Sequence, residues 1–360
     1  MTDFPIQDVF APLGWIFVVL LAANVVLYAF LIGLHEKWWV YRHRREHIRE
    51  RLAPIVERLV SGADAEQASD ELRPVVASLS RAERPVGAWL LKDMTRDADE
   101  QTLHRVSQIL DESGATELAE RSTRRRTAWR RALACEILGA IGAERSVPVL
   151  VERLDDGRGE VRMAAARALG TMGSPLAAPA LTSAFLERSK VPTGVAYDAL
   201  RGLGRHGAAA FHEGLRSRDP TVRVASCFGI AALTGSNDGD VLTGVLEDDN
   251  NIRVRAAAVK ALGVIGGTTP PRVLLDAVDD PEIRVRREAV AALGVFDDPG
   301  AVDTLAVTAD DPDREIALRS AESLIALRDR PRAGAAAAAA LTSSTAWSVD
   351  YARTISELTA

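Results

Sequence analysis

Apolar and small residues recur along this chain on two nested periods. Within residues 251–263, Ile252, Ala256, Val259 and Leu262 fall three or four apart. That spacing predicts one stripe of an amphipathic helix. The segment then returns at longer range. NIRVRAAAVKALG (251–263) is echoed by EVRMAAARALG (160–170) and EIRVRREAVAALG (282–294), and more weakly by WRRALACEILG (129–139). Leu138, Leu169, Leu200, Leu262, Leu293 and Leu324 all keep one 31-residue register, and the single missed slot holds Ala231, with Leu233 two places on. A fixed period of this size predicts stacked repeats rather than a closed globule.

Each unit opens with a shorter apolar segment, such as SVPVLVERL (146–154), PRVLLDAV (271–278) or AVDTLAVTA (301–309). Leu150, Leu181, Leu274 and Leu305 keep the register there, and so do the linker acids Asp155, Asp248, Asp279 and Asp310, each followed by a second Asp. Asp before Pro, as in Asp280-Pro281 and Asp311-Pro312, predicts the end of one helix and the cap of the next. The unit reads as helix, tight acidic turn, helix. Small residues crowd the second helix (Ala164, Ala165, Ala166; Ala256, Ala257, Ala258), which favours helix formation and close helix approach.

With an Asp in the turn and an Arg six places on, as in Asp156/Arg162, Asp249/Arg255 and Asp280/Arg286, residues 129–330 resemble the HEAT-repeat family in its short bacterial form. The resemblance implies an α-solenoid in which these Asp and Arg residues form a ladder between neighbouring repeats. Thr193 and Ala317 replace the Arg in the third and sixth units, and the fourth is offset by one, at Arg223. A capping Asp and a solvated Arg read from the same residues. Residues 331–360, an Ala run followed by a polar helix with Trp347 and Tyr351, are expected to cap the stack, since end repeats need a polar outer face.

A different pattern occupies the N-terminus. Residues 13–34, LGWIFVVLLAANVVLYAFLIGL, carry no charge. As a helix they extend about 33 Å, enough for a hydrocarbon core of about 30 Å. The first 12 residues hold Asp3 and Asp8 and no Lys or Arg, whereas Lys37, Arg42, Arg44, Arg45, Arg49 and Arg51 follow the span. This asymmetry predicts a single-pass inner- or plasma-membrane anchor at 1–35, with the N-terminus outside and the repeats cytoplasmic. Residues 36–62 are then a basic juxtamembrane helix. Residues 63–128, punctuated by Pro74 and Pro85, read either as diverged repeats or as a separate small helical bundle. The fold class is all-α: an α-solenoid of HEAT-like helical hairpins behind a single N-terminal transmembrane helix.

Composition narrows the function. Net charge is −6 over 360 residues, and Lys37, Lys92, Lys190 and Lys260 are the only lysines. Residues 237–331 hold 19 acids against 11 bases, so the distal repeats oppose phosphate backbones and anionic lipid. Cys135 and Cys227 lie in apolar stretches and are expected as reduced, buried thiols.

Chemistry-bearing patterns are sparse. His43, Glu46 and His47 fit an H-x-x-E-H zinc pattern, but the arginines around them oppose a cation. The Gly235–Asp240 loop lacks EF-hand spacing, His206 and His212 flank an Ala-rich turn with no Cys or carboxylate at ligand spacing, and Asp198 and Glu213 have no visible partners. Arg121, Arg124, Arg125, Arg126, Arg130 and Arg131 surround Trp129. With Arg42, Arg44 and Arg45 they are the candidate residues for an acidic partner or anionic lipid headgroups, and a solvated, salt-bridged face is the other reading of them. Arg167, Lys260 and Arg287 are expected along the inner groove. Neither a catalytic constellation, a metal site nor a cofactor is expected. The sequence therefore reads as a bacterial membrane-anchored scaffold for a membrane-associated protein, such as a polysaccharide-making glycosyltransferase. A nucleic-acid grip through 121–131 and a phycobilin-lyase-like role are the alternatives.

Overall fold

A computed structural model describes residues 28, 43 and 45–359, apart from 63, 82, 188, 189 and 234–237. The expected span at 13–34 lies outside these residues, except for Tyr28, as do Arg42 and Arg44. Among the described residues no helix is long and apolar enough to cross a membrane, and every regular element is helical.

The chain divides into two compact units, Met1–Leu118 and Ala119–Ala360. In the first, the described helices are α1 (45–60), α2 (Ala65–Ala77), α3 (Arg84–Met94) and α4 (Glu100–Glu112). The apolar face of α1, with Ile48, Leu52, Val56 and Leu59, is fully buried. The helix expected to lie beside a membrane thus has its apolar face covered, and Leu72, Leu90, Leu91 and Leu110 of the same unit are buried as well. Its solvent side is pinned by Arg58 to Glu71, and Arg45 lies 4.6 Å over the Trp89 ring.

The second unit begins within α5 (Ala115–Ser122). It continues as helix pairs: α6 (Ala128–Ile141), then α7 (Val147–Arg153) with α8 (Gly159–Met172), α9 (Ala178–Leu186) with α10 (Thr193–Gly202), and α11 (Ala208–Gly214) with α12 (Pro220–Leu233). There follow α13 (Gly239–Asp248) with α14 (Ile252–Ile265), α15 (Arg272–Asp276) with α16 (Ile283–Leu293), α17 (Pro299–Thr308) with α18 (Arg314–Leu327), and α19 (Gly334–Ser343) with α20 (Trp347–Thr359). The second helices stack on one another from α6 to α20, and the first helices form a parallel row. The pair α19–α20 packs on α17 and α18 as earlier pairs pack on theirs.

The register residues show why the stack closes. Leu138, Leu169, Leu200, Leu262, Leu293 and Leu324 are fully buried, and Ile230, one place before the missed slot, fills the same role in α12. Backbone approach sets the spacing. A Cβ on Gly170 would stand 2.5 Å from Ala199 Cα, and one on Gly139 would stand 2.7 Å from Ala168 Cα. Glycine one place after the register leucine lets the next second helix sit against the backbone. Cys135 and Cys227 are free and buried, and burial pushes both thiols up to about 12.

The acidic turns work differently from the expected caps. The Asp156, Asp249 and Asp280 carboxylates accept from the amides of Arg158, Asn251 and Glu282, two residues on, at 3.0, 2.8 and 2.8 Å. This makes each an Asx turn, while the helix caps at α14 and α16 are Asn251 and Glu282. A side-chain cap by Asp occurs at α18, where Asp313 accepts from Ile316 N.

Candidate functional site

The ladder comes first, because it fixes the turns that carry the exposed charges. In each rung an Arg near the start of a second helix forks onto the turn Asp of the following pair. Arg131 donates to both Asp156 oxygens (2.8 and 2.7 Å), Arg223 to Asp249 (2.7 and 3.0 Å), and Arg255 to Asp280 (3.0 and 3.1 Å). The same guanidinium reaches back six residues to a main-chain carbonyl. Arg131 donates to Arg125 O at 3.1 Å, Arg223 to Ser217 O at 2.9 Å and Arg255 to Asp249 O at 3.1 Å, and Arg162 makes the same bond to Asp156 O at 2.8 Å. The six-residue spacing in the sequence therefore marks an Arg-to-carbonyl bond, and the carboxylate partner stands 25 or 26 residues away.

Two positions depart from the pattern. In α16 the work is divided: Arg286 donates to Asp280 O at 3.0 Å, and Arg287 takes the Asp313 carboxylate at 3.1 and 2.8 Å. In α10 the rung is missing. Arg162 finds the Lys190 carbonyl instead of a carboxylate, and Thr193, in the place of the Arg, is a buried hydroxyl without a hydrogen-bond partner. At Asp156, Asp249 and Asp313 the bonds leave an electrostatic mark. The Arg131 bond holds Asp156 below the usual carboxylate range, and Arg287 does the same for Asp313. At Asp249 burial pushes upward, but the Arg223 bond, the Asn251 amide and the nearby guanidiniums bring it below that range.

The residues expected along the groove are already engaged. Arg167 pairs with Glu136 of α6 (3.7 Å), Lys260 with Glu288 of α16 (3.1 Å), and Arg287 with Glu315 (2.6 Å). Arg319 joins the same row through Glu315 (2.8 Å) and Glu288 (3.8 Å). Opposite charges one repeat apart fall within reach across stacked helices, so these four cations are neutralised.

The start of α6 does not. Arg121, Arg124, Arg125, Arg126 and Arg130 are exposed, and none of them meets a carboxylate among the described residues. Trp129 is 59 % exposed and Leu133, one turn on, is 45 % exposed. Arg130 lies 5.4 Å over the Trp129 ring. Arg131 is not part of this exposed group. It faces inward as the first rung of the ladder and also holds the carbonyls of Arg125 and Arg126 at 3.1 and 3.0 Å. One buried-side guanidinium thus fixes the turn that displays three outward ones.

The remaining candidates are dispersed. His47 and Glu46 lie exposed on α1 with His43 near them. His212 Nε2 stands 3.2 Å from Asp238. Among the described residues, no group of three or more His, Cys, Asp or Glu side chains gathers as a metal would require. A shallow cavity of about 290 Å³ between α18, α19 and α20 is lined by Arg328, Leu341 and Arg353.

Residues 115–203 and 271–356 match the family model for HEAT repeats. The intervening 204–270 carries helix pairs of the same register in the same stack. No curated protein matches the chain. Similar solved structures include the complex of CpcE and CpcF of phycocyanin lyase from Nostoc sp. PCC7120, with 19% identity, 66% of this chain and 94% of that chain covered and a TM-score of 0.32. Yeast importin-β (Kap95p) shares 14% identity over 80% of this chain and 52% of that one, with a TM-score of 0.46. An engineered protein shares 18% identity over 84% and 97%, with a TM-score of 0.37.

Proposed function

We propose that this chain, whose second unit is built of HEAT repeats, is a non-enzymatic scaffold that binds a membrane-associated protein and is held at the membrane by residues 13–34. The observation that carries the reading is the contrast along the second helices. From α14 to α18 Lys260, Arg287 and Arg319 pair with carboxylates across the stack, while the start of α6 presents five guanidiniums that meet no carboxylate among the described residues, beside an exposed Trp and Leu. Arg and Trp are the side chains that concentrate binding energy at protein interfaces. Repeats that bury only their shared core leave such a surface free for recognition. The uncharged stretch and the basic residues after it support an anchor with the repeats on the cytoplasmic side. A polysaccharide-making membrane synthase is the kind of partner such a location favours.

The test is site-specific photo-cross-linking of the full chain in its native membranes, with the photoreactive residue at Leu133 or at Ile283. A discrete adduct with one protein is expected. Absence of protein adducts at both positions overturns the scaffold reading. A reporter fused to the C-terminus tests the anchor: fluorescence in the cytosol is expected, and activity of a periplasm-only enzyme overturns the orientation.

A further inference from the structure

We propose that the exposed start of α6 is the docking site for an acidic, amphipathic helical segment of a partner protein; this rests on the scaffold reading and specifies its ligand. The repeat itself identifies the site. Val161, Val222, Val254, Val285 and Ile316 hold one equivalent place near the start of α8, α12, α14, α16 and α18, and all five are buried. In α6 that place is Arg130, exposed to solvent. Leu133 stands where Ala164 and Ala257 are buried in α8 and α14, yet it is 45 % exposed. A core position has become a surface position, and it carries a cation and a large apolar side chain.

The arrangement has a direction. The turn before α6 displays Arg124, Arg125 and Arg126; the first two turns of the helix display Trp129 and Leu133, which share a face at i, i+4; the next turn displays Glu136, half-exposed and tied only loosely to Arg167 at 3.7 Å. The patch therefore runs from cationic to apolar along one helix and ends at the Glu136–Arg167 pair. Its complement is a helix with carboxylates at one end, two apolar residues a turn apart and a neutral or basic remainder. The turn is held before any ligand arrives, since Arg131 bonds two of its carbonyls and Asp156. Such preorganisation lowers the ordering cost of binding. A lipid surface and a duplex both present phosphate over a broad area, which would oppose Glu136, the exposed Glu144 and Glu160 and the acidic distal repeats. A short acidic helix avoids that cost.

The probe is a fluorescein-labelled helical peptide of about 16 residues, with three glutamates in its first turn and Leu and Phe at i, i+4, titrated by anisotropy against the full chain. Its lysine-substituted counterpart, phosphatidylcholine vesicles with a minority of phosphatidylglycerol, and a short DNA duplex are titrated in parallel. The acidic peptide is expected to bind with a Kd of about micromolar order, more weakly as salt rises. The variant Arg124→Glu, Arg125→Glu, Arg126→Glu should weaken it by about tenfold or more, and Trp129→Ala by about fivefold or more. These side chains make no ion pair in the described structure, so circular dichroism should be unchanged. Equal binding of the acidic and lysine peptides, or equal binding to wild type and triple variant, overturns the inference. So does binding of vesicles or duplex, but not of the acidic peptide, that the triple variant loses. Cross-linking separates this failure from that of the scaffold reading: protein adducts from Ile283 with none from Leu133 overturn this site and leave the scaffold standing.

Discussion

The helices α6 and α14 hold the same place in the repeat and do opposite things with it. In α14, Val254 and Ala257 are buried, Arg255 forks onto Asp280, and the exposed Lys260 is neutralised by Glu288. In α6 the rung survives, since Arg131 forks onto Asp156, but Arg130 and Leu133 stand in solvent where α14 has core, and the neighbouring arginines meet no carboxylate among the described residues. The difference teaches that a repeat protein separates structure from recognition by position within the unit. Side chains that tie one repeat to the next are kept at both places. Those that merely fill space are released where α6 leaves them uncovered.

The sharpest way to break this comparison is to exchange the two residues. Val254→Arg would bury a guanidinium with no partner and should destabilise the protein by about 3 kcal/mol or more. Arg130→Val should shift stability by no more than about 0.5 kcal/mol. Thermal melts of both variants check this, and similar midpoints would show that the two places are not core and surface. The next effect in size concerns helix spacing. Gly170→Leu forces a side chain against the Ala199 backbone and should cost about 1–3 kcal/mol, read from the denaturant midpoint.

Within the ladder, Arg255→Ala leaves the Asp280 carboxylate with one amide donor and removes a bond to Asp249 O. A loss of about 1.5–3 kcal/mol is expected for a charge-assisted pair this enclosed. Lys260→Ala, which breaks an exposed pair, should cost about 0–1 kcal/mol. Equal losses would mean that the rung is only a surface contact. The smallest effect is one of pH. Asp156, Asp249 and Asp313 are held below the usual carboxylate range when folded, so the stability they contribute is present above the unfolded-chain value of about 3.9 and is lost as pH falls through the folded values. Urea midpoints measured from pH 6 downward should fall below about pH 4. Arg131→Gln should flatten that fall slightly, by releasing Asp156.

The stack was legible because its period is long, regular and marked by leucine. The first and last pairs were less so: α5 and α19–α20 have lost the leucine and Asp signals, although they keep the geometry. Ladder chemistry was half legible. Asp and Arg six residues apart announce the motif and the resemblance implies a ladder between neighbouring repeats, but only the fold shows that the six-residue pair itself is an Arg-to-carbonyl bond. Arg131 stands one period before Arg162, yet its place inside a run of arginines hides its inward role. Arg167, Lys260 and Arg287 gave no sign in the sequence that carboxylates one repeat away would pair with them. Ion pairing across a stack depends on the rotation of each helix, which composition does not carry, and this also hid which arginines near Trp129 lack a carboxylate.

The missing rung at α10 has a mechanical consequence. A chain of equal links shares tension equally, whereas one with a weak link yields there first. Between α8 and α10 the ladder has a main-chain carbonyl and the Lys190–Asp155 pair in place of a fork, and Thr193 leaves α10 without a guanidinium to reach the turn before α12. Bending, twisting or pulling the stack should therefore concentrate strain on either side of α10, with the runs before and after moving as stiffer arms. A partner that gripped both arms would meet a joint, not a rod.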